Sequence, residues 1–326
     1  MGGNVFDATR RYSAKEYHLV SEKVLSLVSK FSKRSVVIPA YRNKESFGDI
    51  DVLIIPNLQL STDFLDKVFE SSGQVIHNGS VWSLVYEQIQ VDLIVTNEQE
   101  FDFSLGYFSY NDRGNLIGRI SSKFGLTFGH NGLIMKVRSQ DHILGEIVLT
   151  KDFNRALEFL DIENNEDFET IDDVFQNVIK SKYFNPSIYN LDNRNAVSRI
   201  RDRKRKTYSE FLKYVADFDE QAYYQFNKDK SSYFDFIFNA FPEAKEEFEK
   251  IWERKRINDA AALMFNGDIV KQLTGLEHKQ LGELMKLLKK SLVPDVVVTM
   301  KQESINKFII DSYENSGIIN ECKNIR

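Results

Sequence analysis

Apolar residues near the start of the chain recur at the spacing of an α-helix. Between residues 13 and 31 they are three or four positions apart, on one helix face: Tyr17, Val20, Val24, Leu27, Val28 and Phe31. Ser13 and Glu16 have the spacing of a capping box, in which each side chain accepts a hydrogen bond from the other residue's backbone N–H. The pattern therefore predicts a first helix that begins at Ser13.

The spacing then changes to short β-branched runs, which favour strands. The predicted strands cover residues 35–39, 49–56, 74–76, 81–86 and 90–95. Asn78-Gly79 separates two of these runs and is typical of a hairpin turn. With one short helix predicted over 65–71, the first 100 residues predict a small mixed sheet with few helices.

Glycine is frequent between residues 101 and 150 and rare afterwards. Helical spacing then dominates, over residues 153–160, 171–180, 209–214, 233–240, 244–252 and 281–292. The chain is therefore predicted to be an α+β protein in three parts. These are a sheet domain with an N-terminal helix over 1–100, a mixed subdomain over 101–160 and an all-helical body over 161–326.

Composition limits the classes of protein that the chain can belong to. Its 326 residues include 43 Lys and Arg against 48 Asp and Glu, so a uniformly cationic nucleic-acid coat is excluded and any polyanion contact requires a local basic patch. The lone cysteine, Cys322, excludes a disulfide framework and a cysteine-based zinc site. No apolar run has transmembrane length and no signal peptide is recognisable, so we expect a soluble, cytoplasmic protein without membrane contact.

The stretch with the clearest chemistry is Gly48-Asp49-Ile50-Asp51, at the start of a predicted strand. Alternate residues of a strand point to the same face, so both carboxylates project together. Adjacent carboxylates repel each other unless a cation lies between them, and Mg²⁺ prefers carboxylate and phosphate oxygens. Asp92, the one acid of the apolar strand over 90–95, is the natural third ligand.

An Asp-x-Asp pair by itself is more often a solvent-facing alternation of charge than a metal site. Three further features favour the metal: Gly48 permits close backbone approach to a ligand, an apolar run follows Asp51, and a second apolar strand carries Asp92. These features weaken the solvent-facing interpretation and make Asp49, Asp51 and Asp92 the candidate ligands of a two-metal site.

The segment from Arg42 through Gly48-Asp49-Ile50-Asp51-Val52-Leu53-Ile54 resembles the palm motif of the family X DNA polymerases, within the β-type nucleotidyltransferase superfamily. Val91-Asp92-Leu93 resembles the strand that carries the family's third metal-binding aspartate. Tyr107-Phe108-Ser109-Tyr110-Asn111-Asp112 resembles its Tyr-Phe-Thr-Gly-Ser-Asp turn, and Asn115 and Arg119 fall where the family has an Asn and an Arg in the next helix. The resemblance covers the segment from 36 to about 160.

This resemblance implies a polymerase β-like palm that adds nucleotides from NTP or dNTP to a polynucleotide 3′-hydroxyl. It implies two Mg²⁺ ions, with Mn²⁺ as a substitute, held by the catalytic residues Asp49, Asp51 and Asp92. The implied contacts of the triphosphate are Arg42, Ser46 and Gly48. The implied residues of the nucleotide pocket, in a fingers- or thumb-like subdomain, are Tyr107, Asn115 and Arg119. From the Tyr107 turn we expect a preference for dNTP.

The chain departs from the family pattern at two places. Where the family has a Gly-Ser pair that holds the triphosphate, this chain has Ile38-Pro39. Tyr110 replaces the glycine of the turn, so we expect the turn to follow another backbone path.

Gly2-Gly3-Asn4-Val5-Phe6 resembles the Gly-Gly-x-Val element of tRNA CCA-adding enzymes. This segment has two interpretations, a substitute phosphate loop and a frayed terminus.

Two further segments concern nucleic acid. The run Arg199–Lys206 carries six basic residues and one acid, and beside a polymerase-like palm it favours contact with the backbone of a DNA primer or a tRNA-like RNA over a solvated face. The segments 265–269 and 275–284 resemble the helical tail of bacterial CCA-adding and poly(A)-adding enzymes. A helix-hairpin-helix and an ordinary helical packing unit stay open as alternatives for these segments.

Two alternative functions also stay open. The tail favours an RNA-directed transferase, such as a CCA-adding or poly(A)-adding enzyme. The second alternative is a nucleotidyltransferase that modifies a protein or a small molecule. The basic run and the block from Tyr107 to Arg119 argue against this second alternative. Salt-dependent nucleic-acid binding distinguishes a transferase that acts on nucleic acid from one that modifies a protein or a small molecule.

Overall fold

In the part of the chain that the structure describes, the strands form a five-stranded sheet and two smaller ones. A computed structural model of the protein describes residues 5–7, 9–193 and 196–318, and the predictions on Gly2-Gly3 and Cys322 lie outside these residues. The strands of the described part are β1 Tyr12–Ser13, β2 Ser32–Val37, β3 Ser46–Phe47, β4 Asp49–Pro56, β5 Val75–Asn78, β6 Val81–Tyr86, β7 Ile89–Val95, β8 Leu126–Gly129, β9 Gly132–Ser139 and β10 His142–Thr150.

Helices dominate the rest of the described chain. They are α1 Ala14–Val28, α2 Thr62–Phe69, α3 Phe101–Phe108, α4 Arg113–Lys123, α5 Phe153–Phe159, α6 Ile171–Ile179, α7 Ala196–Arg203, α8 Lys206–Tyr214, α9 Phe234–Ala240, α10 Glu243–Met264, α11 Gly267–Thr274, α12 His278–Leu288, α13 Pro294–Val297 and α14 Gln302–Asn315. Short 3₁₀ turns cover Pro186–Tyr189, Leu191–Asn193, Glu220–Ala222 and Lys230–Tyr233. The predicted capping box is confirmed, since Ser13 and Glu16 bond to each other's backbone N–H groups.

The main sheet has the order β2-β4-β7-β6-β5, in which β4 and β7 are parallel and the other pairs are antiparallel. It is covered on both faces, which explains why β4 reads as a continuous apolar run. Ile50, Val52 and Ile54 pack in the core with α1 and α2, whereas Leu53 and Ile55 pack in the core that includes Phe101 of α3. Because side chains alternate along a strand, Asp49 and Asp51 lie on the α3 face.

The predicted hairpin joins β5 and β6, but its centre was predicted one residue too early. Asn78 still pairs with Val81, so the two loop residues are Gly79 and Ser80. Gly79 has a φ of +61°, in the left-handed region that glycine adopts without a steric penalty. The positive φ therefore falls on the first loop residue, and Asn78 keeps its place in the ladder.

A sharp corner joins α3 to α4. Tyr110 and Asn111 both have positive φ, +59° and +61°, and Tyr110 occupies the position at which the resembled turn has glycine. Its ring packs edge-to-face on Phe168 at 4.8 Å, and its hydroxyl donates to the carbonyl oxygen of Glu166. These contacts hold a tyrosine in a conformation that costs a non-glycine residue about 1–2 kcal/mol.

The described residues form two compact units. One comprises the described residues up to Lys136 together with Glu146–Ala244, and the other comprises Val137–Gly145 with the described residues from Lys245 onward. The predicted α+β class with a small mixed sheet is confirmed, and no strand follows Thr150 in the described chain. The predicted division at residues 100 and 160 stays a prediction. Across the described ranges, no helix combines the length and the apolar character that a membrane crossing requires.

Candidate functional site

Three carboxylates meet at the two central strands of the sheet. In the parallel register of β4 and β7, Asp51 lies opposite Asp92, and Asp49 lies opposite Gln90. Each of the three acids offers one oxygen that lies within 4.8 Å of the corresponding oxygens of the other two. The structure therefore brings together the three acids that the strand pattern had predicted to converge.

Burial makes ionisation of these acids unfavourable. It is the main reason why the pKa of each carboxyl lies above its ordinary value. The negative charges of Asp49 and Asp92 add to burial at Asp51 and raise its pKa to about 8. A cation placed between the carboxylates offsets both the desolvation and the repulsion, and a set of carboxylate oxygens suits a hard divalent ion such as Mg²⁺ or Mn²⁺.

Gln90 fixes the orientation of Asp92. Its side-chain nitrogen donates to both carboxylate oxygens of Asp92, at 3.0 and 2.9 Å, and its side-chain oxygen accepts from the backbone N–H of Val5 at 3.0 Å. Ser83, the cross-strand neighbour on β6, also bonds to Asp92, and the hydrogen bonds from Ser83 and Gln90 oppose the rise of its pKa. The buried Gln90 therefore links the described N-terminal segment to the third acid.

The three acids line a cleft of about 310 Å³. Apolar side chains form most of the remaining wall, and two basic residues, Lys44 and Arg205, complete it. The other lining residues are Tyr17, Ile38, Pro39, Ala40, Phe47, Val81, Ile94, Phe108 and Asn111. The cleft thus combines a carboxylate cluster, two cations and an apolar surface, which suits a ligand with both anionic and flat apolar parts.

Lys44 is a half-buried cation beside the acids. Burial lowers its pKa, and the negative charges of Asp49 and Asp51 act in the opposite direction. Its ammonium lies 4.6 Å from the centre of the Phe47 ring, a cation–π contact. Sequence reasoning missed this residue, although it stands only two positions after Arg42 in the loop before β4.

Arg205 reaches the same cleft from the helical part of the first unit. It precedes the first residue of α8, and its guanidinium forms an ion pair with Asp112. The sequence had marked Arg205 only as one member of the basic run, and Asn111 only as part of the turn. Their places in the cleft wall depend on the packing of distant segments, and the local pattern carries no signal for them.

The residues predicted to contact the triphosphate do not line the cleft in which the three acids lie. Arg42 forms ion pairs with Asp167 and Glu169, and its side chain is 59% exposed. Ser46 accepts a hydrogen bond from Arg11 at 3.1 Å, and Gly48 is buried immediately before β4. Arg42, Ser46 and Gly48 are not among the described residues that line the cleft, and their phosphate contacts stay predictions.

The predicted pocket residues Tyr107, Asn115 and Arg119 are not among the described residues that line the cleft. Tyr107 packs its ring near Phe108 at 5.2 Å, and Phe108 is the one of the two that lines the cleft. Asn115 accepts hydrogen bonds from Arg119 at 3.2 Å and from Arg201 at 3.4 Å. Asn115 and Arg119 therefore join α4 to the basic run, and their contacts with a nucleotide stay predictions.

The basic run is partly structural. Asp202 is fully buried within it and is paired with Arg201 at 3.3 Å and with Arg119 of α4 at 3.8 Å. Arg199 donates to the carbonyl oxygen of Leu191 at 3.1 Å. Arg203 and Lys204 are exposed. The six basic residues of the run are therefore not equivalent as contacts for a phosphate backbone.

Comparison with known proteins adds no relative. A scan of the chain against models of protein families finds no match. A search of curated proteins finds no significant match. The likeness to the nucleotidyltransferases is thus carried by the motifs.

Proposed function

We propose that the protein is a metal-dependent nucleotidyltransferase with a polymerase β-like palm. Its reaction is the attack of a polynucleotide 3′-hydroxyl on the α-phosphate of an NTP or dNTP, with pyrophosphate as the leaving group. The observation that carries the proposal is the convergence of Asp49, Asp51 and Asp92 in the wall of one cleft. The order of the three motif blocks supports the same activity.

The donor set fits the ions that this reaction requires. Three carboxylates with oxygens within 4.8 Å of one another are hard oxygen ligands, and burial raises the pKa of each, so a bound cation would stabilise their charged forms. Asp49 and Asp51 would hold both ions, and Asp92 would hold one of them. Bound there, Mg²⁺ supplies charge neutralisation at the phosphates and a lowered pKa at the attacking hydroxyl.

The chain's own residues position the reactants. The Gln90 amide holds Asp92 in one orientation, so that its carboxylate faces the Asp49–Asp51 pair. Ile38 and Phe108 give the cleft an apolar wall, and a ligand bound against it would displace water and strengthen the electrostatic interactions inside. In a phosphoryl-transfer site of this kind, positioning and electrostatic stabilisation provide nearly all of the catalysis.

A polynucleotide acceptor is favoured by the basic run next to the cleft. Arg205 lines the cleft itself, while Arg203 and Lys204 are exposed two and one positions before it. A phosphate backbone that contacts these exposed residues would bring its end toward the acids. The same arrangement has no evident use in a transferase that modifies a small molecule.

An extension assay tests the proposal. DNA primer, primer–template and tRNA without its CCA end are each offered with α-labelled dNTP or NTP and Mg²⁺. We expect label in a polynucleotide together with released pyrophosphate. Label found only on protein or on a small molecule would favour the protein- or small-molecule-modifying alternative, and no transfer to any acceptor would refute the proposal.

A further inference from the structure

We infer that Lys44 and Arg205 bind the β- and γ-phosphates of the nucleotide, and that Arg42 does not. The inference rests on the proposed function, because it names the residues that hold the phosphate tail of its substrate. It assigns a polyphosphate site with one wall in the loop before β4 and the other at the junction of α7 and α8.

The backbone at Ile38-Pro39 has no N–H group to offer a phosphate. The N–H of Ile38 donates to the carbonyl oxygen of Asp51 at 2.9 Å, and proline has no N–H. The carbonyl oxygen of Pro39 accepts from the N–H of Tyr110 at 2.8 Å. Both residues line the cleft, yet they lack the hydroxyl and the donors of a Gly-Ser pair. The phosphate tail therefore requires other donors.

Lys44 has donors available on the cleft side. Lys44 lines the cleft with Asp49 and Asp51, and no carboxylate of the described residues forms an ion pair with its ammonium. Its contact with the Phe47 ring orients the side chain and occupies none of its three N–H donors. A lysine ammonium held at the edge of an acid cluster is a suitable point contact for a phosphate oxygen.

Arg205 offers donors from the opposite side. A guanidinium has five N–H donors, and one carboxylate such as Asp112 accepts at most two of them in a bidentate pair. Arg205 lines the cleft together with the acids, so its remaining donors are placed for a phosphate. Because the residue belongs to the helical segment, a bound polyphosphate connects that segment to the sheet.

Arg42 is engaged elsewhere. Its guanidinium pairs with two carboxylates, Asp167 and Glu169, and its backbone N–H donates to the carbonyl oxygen of Phe168 at 2.9 Å. These contacts anchor the loop to the acidic segment 163–173 and neutralise the positive charge. The guanidinium of Arg42 is therefore committed to this segment, whereas the loop that carries Lys44 is held by the backbone N–H groups of Arg42 and Asn43, which bond to Phe168 and Glu169.

The charges of the loaded site support the same assignment. Three carboxylates and a triphosphate together carry about seven negative charges, and two divalent ions offset about four of them. Two further cations offset most of the negative charge that remains. This matters in a partly buried cleft, where an uncompensated charge is costly. Lys44 and Arg205 are the basic residues among the described residues that line it.

Calorimetric titration with inorganic tripolyphosphate in Mg²⁺ tests this site directly. We expect Lys44→Met and Arg205→Met each to weaken binding at least about tenfold, which corresponds to about 1.4 kcal/mol. Arg42→Met and the control Lys67→Met, on the exposed surface of α2, should each change the affinity less than about twofold. If Arg205→Met fails to fold, Asp112→Asn is the substitute: it releases Arg205, and tripolyphosphate should then bind about two- to fivefold more tightly.

The outcomes separate this inference from the proposed function. Wild-type affinity in Lys44→Met and Arg205→Met, loss of binding in Arg42→Met, or no binding by the wild-type protein overturns the inference. If nucleotide transfer is observed but the KM for the nucleotide is unchanged in both variants, the inference fails and the proposed function stands. If tripolyphosphate binding requires both cations but no acceptor is extended, the site stands and the proposed function fails.

Discussion

Asp51 of β4 lies directly opposite Asp92 of β7 in the parallel register at the centre of the main sheet. Both side chains face the α3 side, where Asp49 joins them with oxygens inside 4.8 Å. Burial raises the pKa of all three acids, and the charges of Asp49 and Asp92 add to this effect at Asp51, so the ionised cluster destabilises the fold unless a cation is bound. This relationship leads to a prediction about the stability of the protein without metal.

Without metal, the free energy of unfolding of the wild type should fall relative to that of Asp51→Asn as pH rises between about 4 and 8. The pKa of Asp51 is raised from 3.8 to about 8 in the folded protein, so its contribution is fully present below the unfolded value and is lost as pH rises through the folded value. We therefore expect Asp51→Asn to be the more stable protein at pH 8 in EDTA. Urea unfolding across this range measures the difference, and Mg²⁺ should stabilise the wild type more at pH 8 than at pH 5. Parallel pH curves for the two proteins would contradict the prediction.

Gly114 is required by the corner between α3 and α4. A Cβ at this position would lie 2.2 Å from the carbonyl oxygen of Tyr107, whereas one at Gly118 of the same helix would lie 3.5 Å from its nearest neighbour. Gly114→Ala should therefore cost at least about 2 kcal/mol, since backbone has to move. Gly118→Ala should be neutral or stabilise by up to about 1 kcal/mol through helix propensity. Chemical denaturation of both variants provides the comparison, and equal stability of the two would contradict it.

Arg113 and Arg42 both hold the segment 163–173, but their burial differs. Arg113 is 1% exposed and donates to the side chain of Asn177 at 3.0 Å and to the carbonyl oxygen of Glu163 at 3.3 Å. Its replacement by Met should destabilise the protein by about 2–4 kcal/mol, because buried acceptors lose their donor. Arg42→Met removes exposed ion pairs and should cost less than about 1 kcal/mol. If urea unfolding shows that Arg42→Met is less stable than Arg113→Met, the exposed ion pairs contribute more to stability than the buried hydrogen bonds, and the prediction is wrong.

Exposed members of the basic run should determine the salt dependence of nucleic-acid binding. Arg203→Ala should weaken binding similarly for all sequences and reduce the slope of log affinity against log salt by about 0.7–0.9. Lys67→Ala, on exposed α2 surface, should leave the slope unchanged. Arg201→Ala also disturbs Asn115 and buried Asp202, so it should lower stability as well. Fluorescence anisotropy at several salt concentrations distinguishes these effects. An unchanged slope for Arg203→Ala would indicate that the run is a solvated face and does not bind nucleic acid.

Strand periodicity was sufficient to predict where the three acids lie. Asp49 and Asp51 share a face because side chains alternate, and Asp92 joins them because two apolar strands of this kind pair at the centre of a sheet. The first helix and its cap could also be predicted from the local sequence, since Ser13 and Glu16 are three residues apart. Local spacing therefore predicts the parts of the site that one element or one strand pair determines.

The cations of the cleft could not be predicted in this way. Arg205 reaches the acids because the α7–α8 junction packs on the turn that contains Asp112, and Arg42 is drawn to Asp167 and Glu169 from a distant segment. Such ion pairs depend on tertiary packing, which leaves no period in the sequence. Tyr110 shows the same limit, since a ring contact with Phe168 and a bond to the carbonyl of Glu166 hold its backbone at positive φ.

The most direct test of the account is transfer of an α-labelled nucleotide by the wild-type protein, Asp51→Asn and Asp92→Asn in Mg²⁺. Glu22→Gln, on the exposed face of α1, is the matched control for loss of one carboxylate. We expect Mg²⁺-dependent transfer by the wild type and the control, and a loss on the order of 100-fold or more in each aspartate variant without loss of folded structure. Near-normal turnover by Asp51→Asn would contradict it.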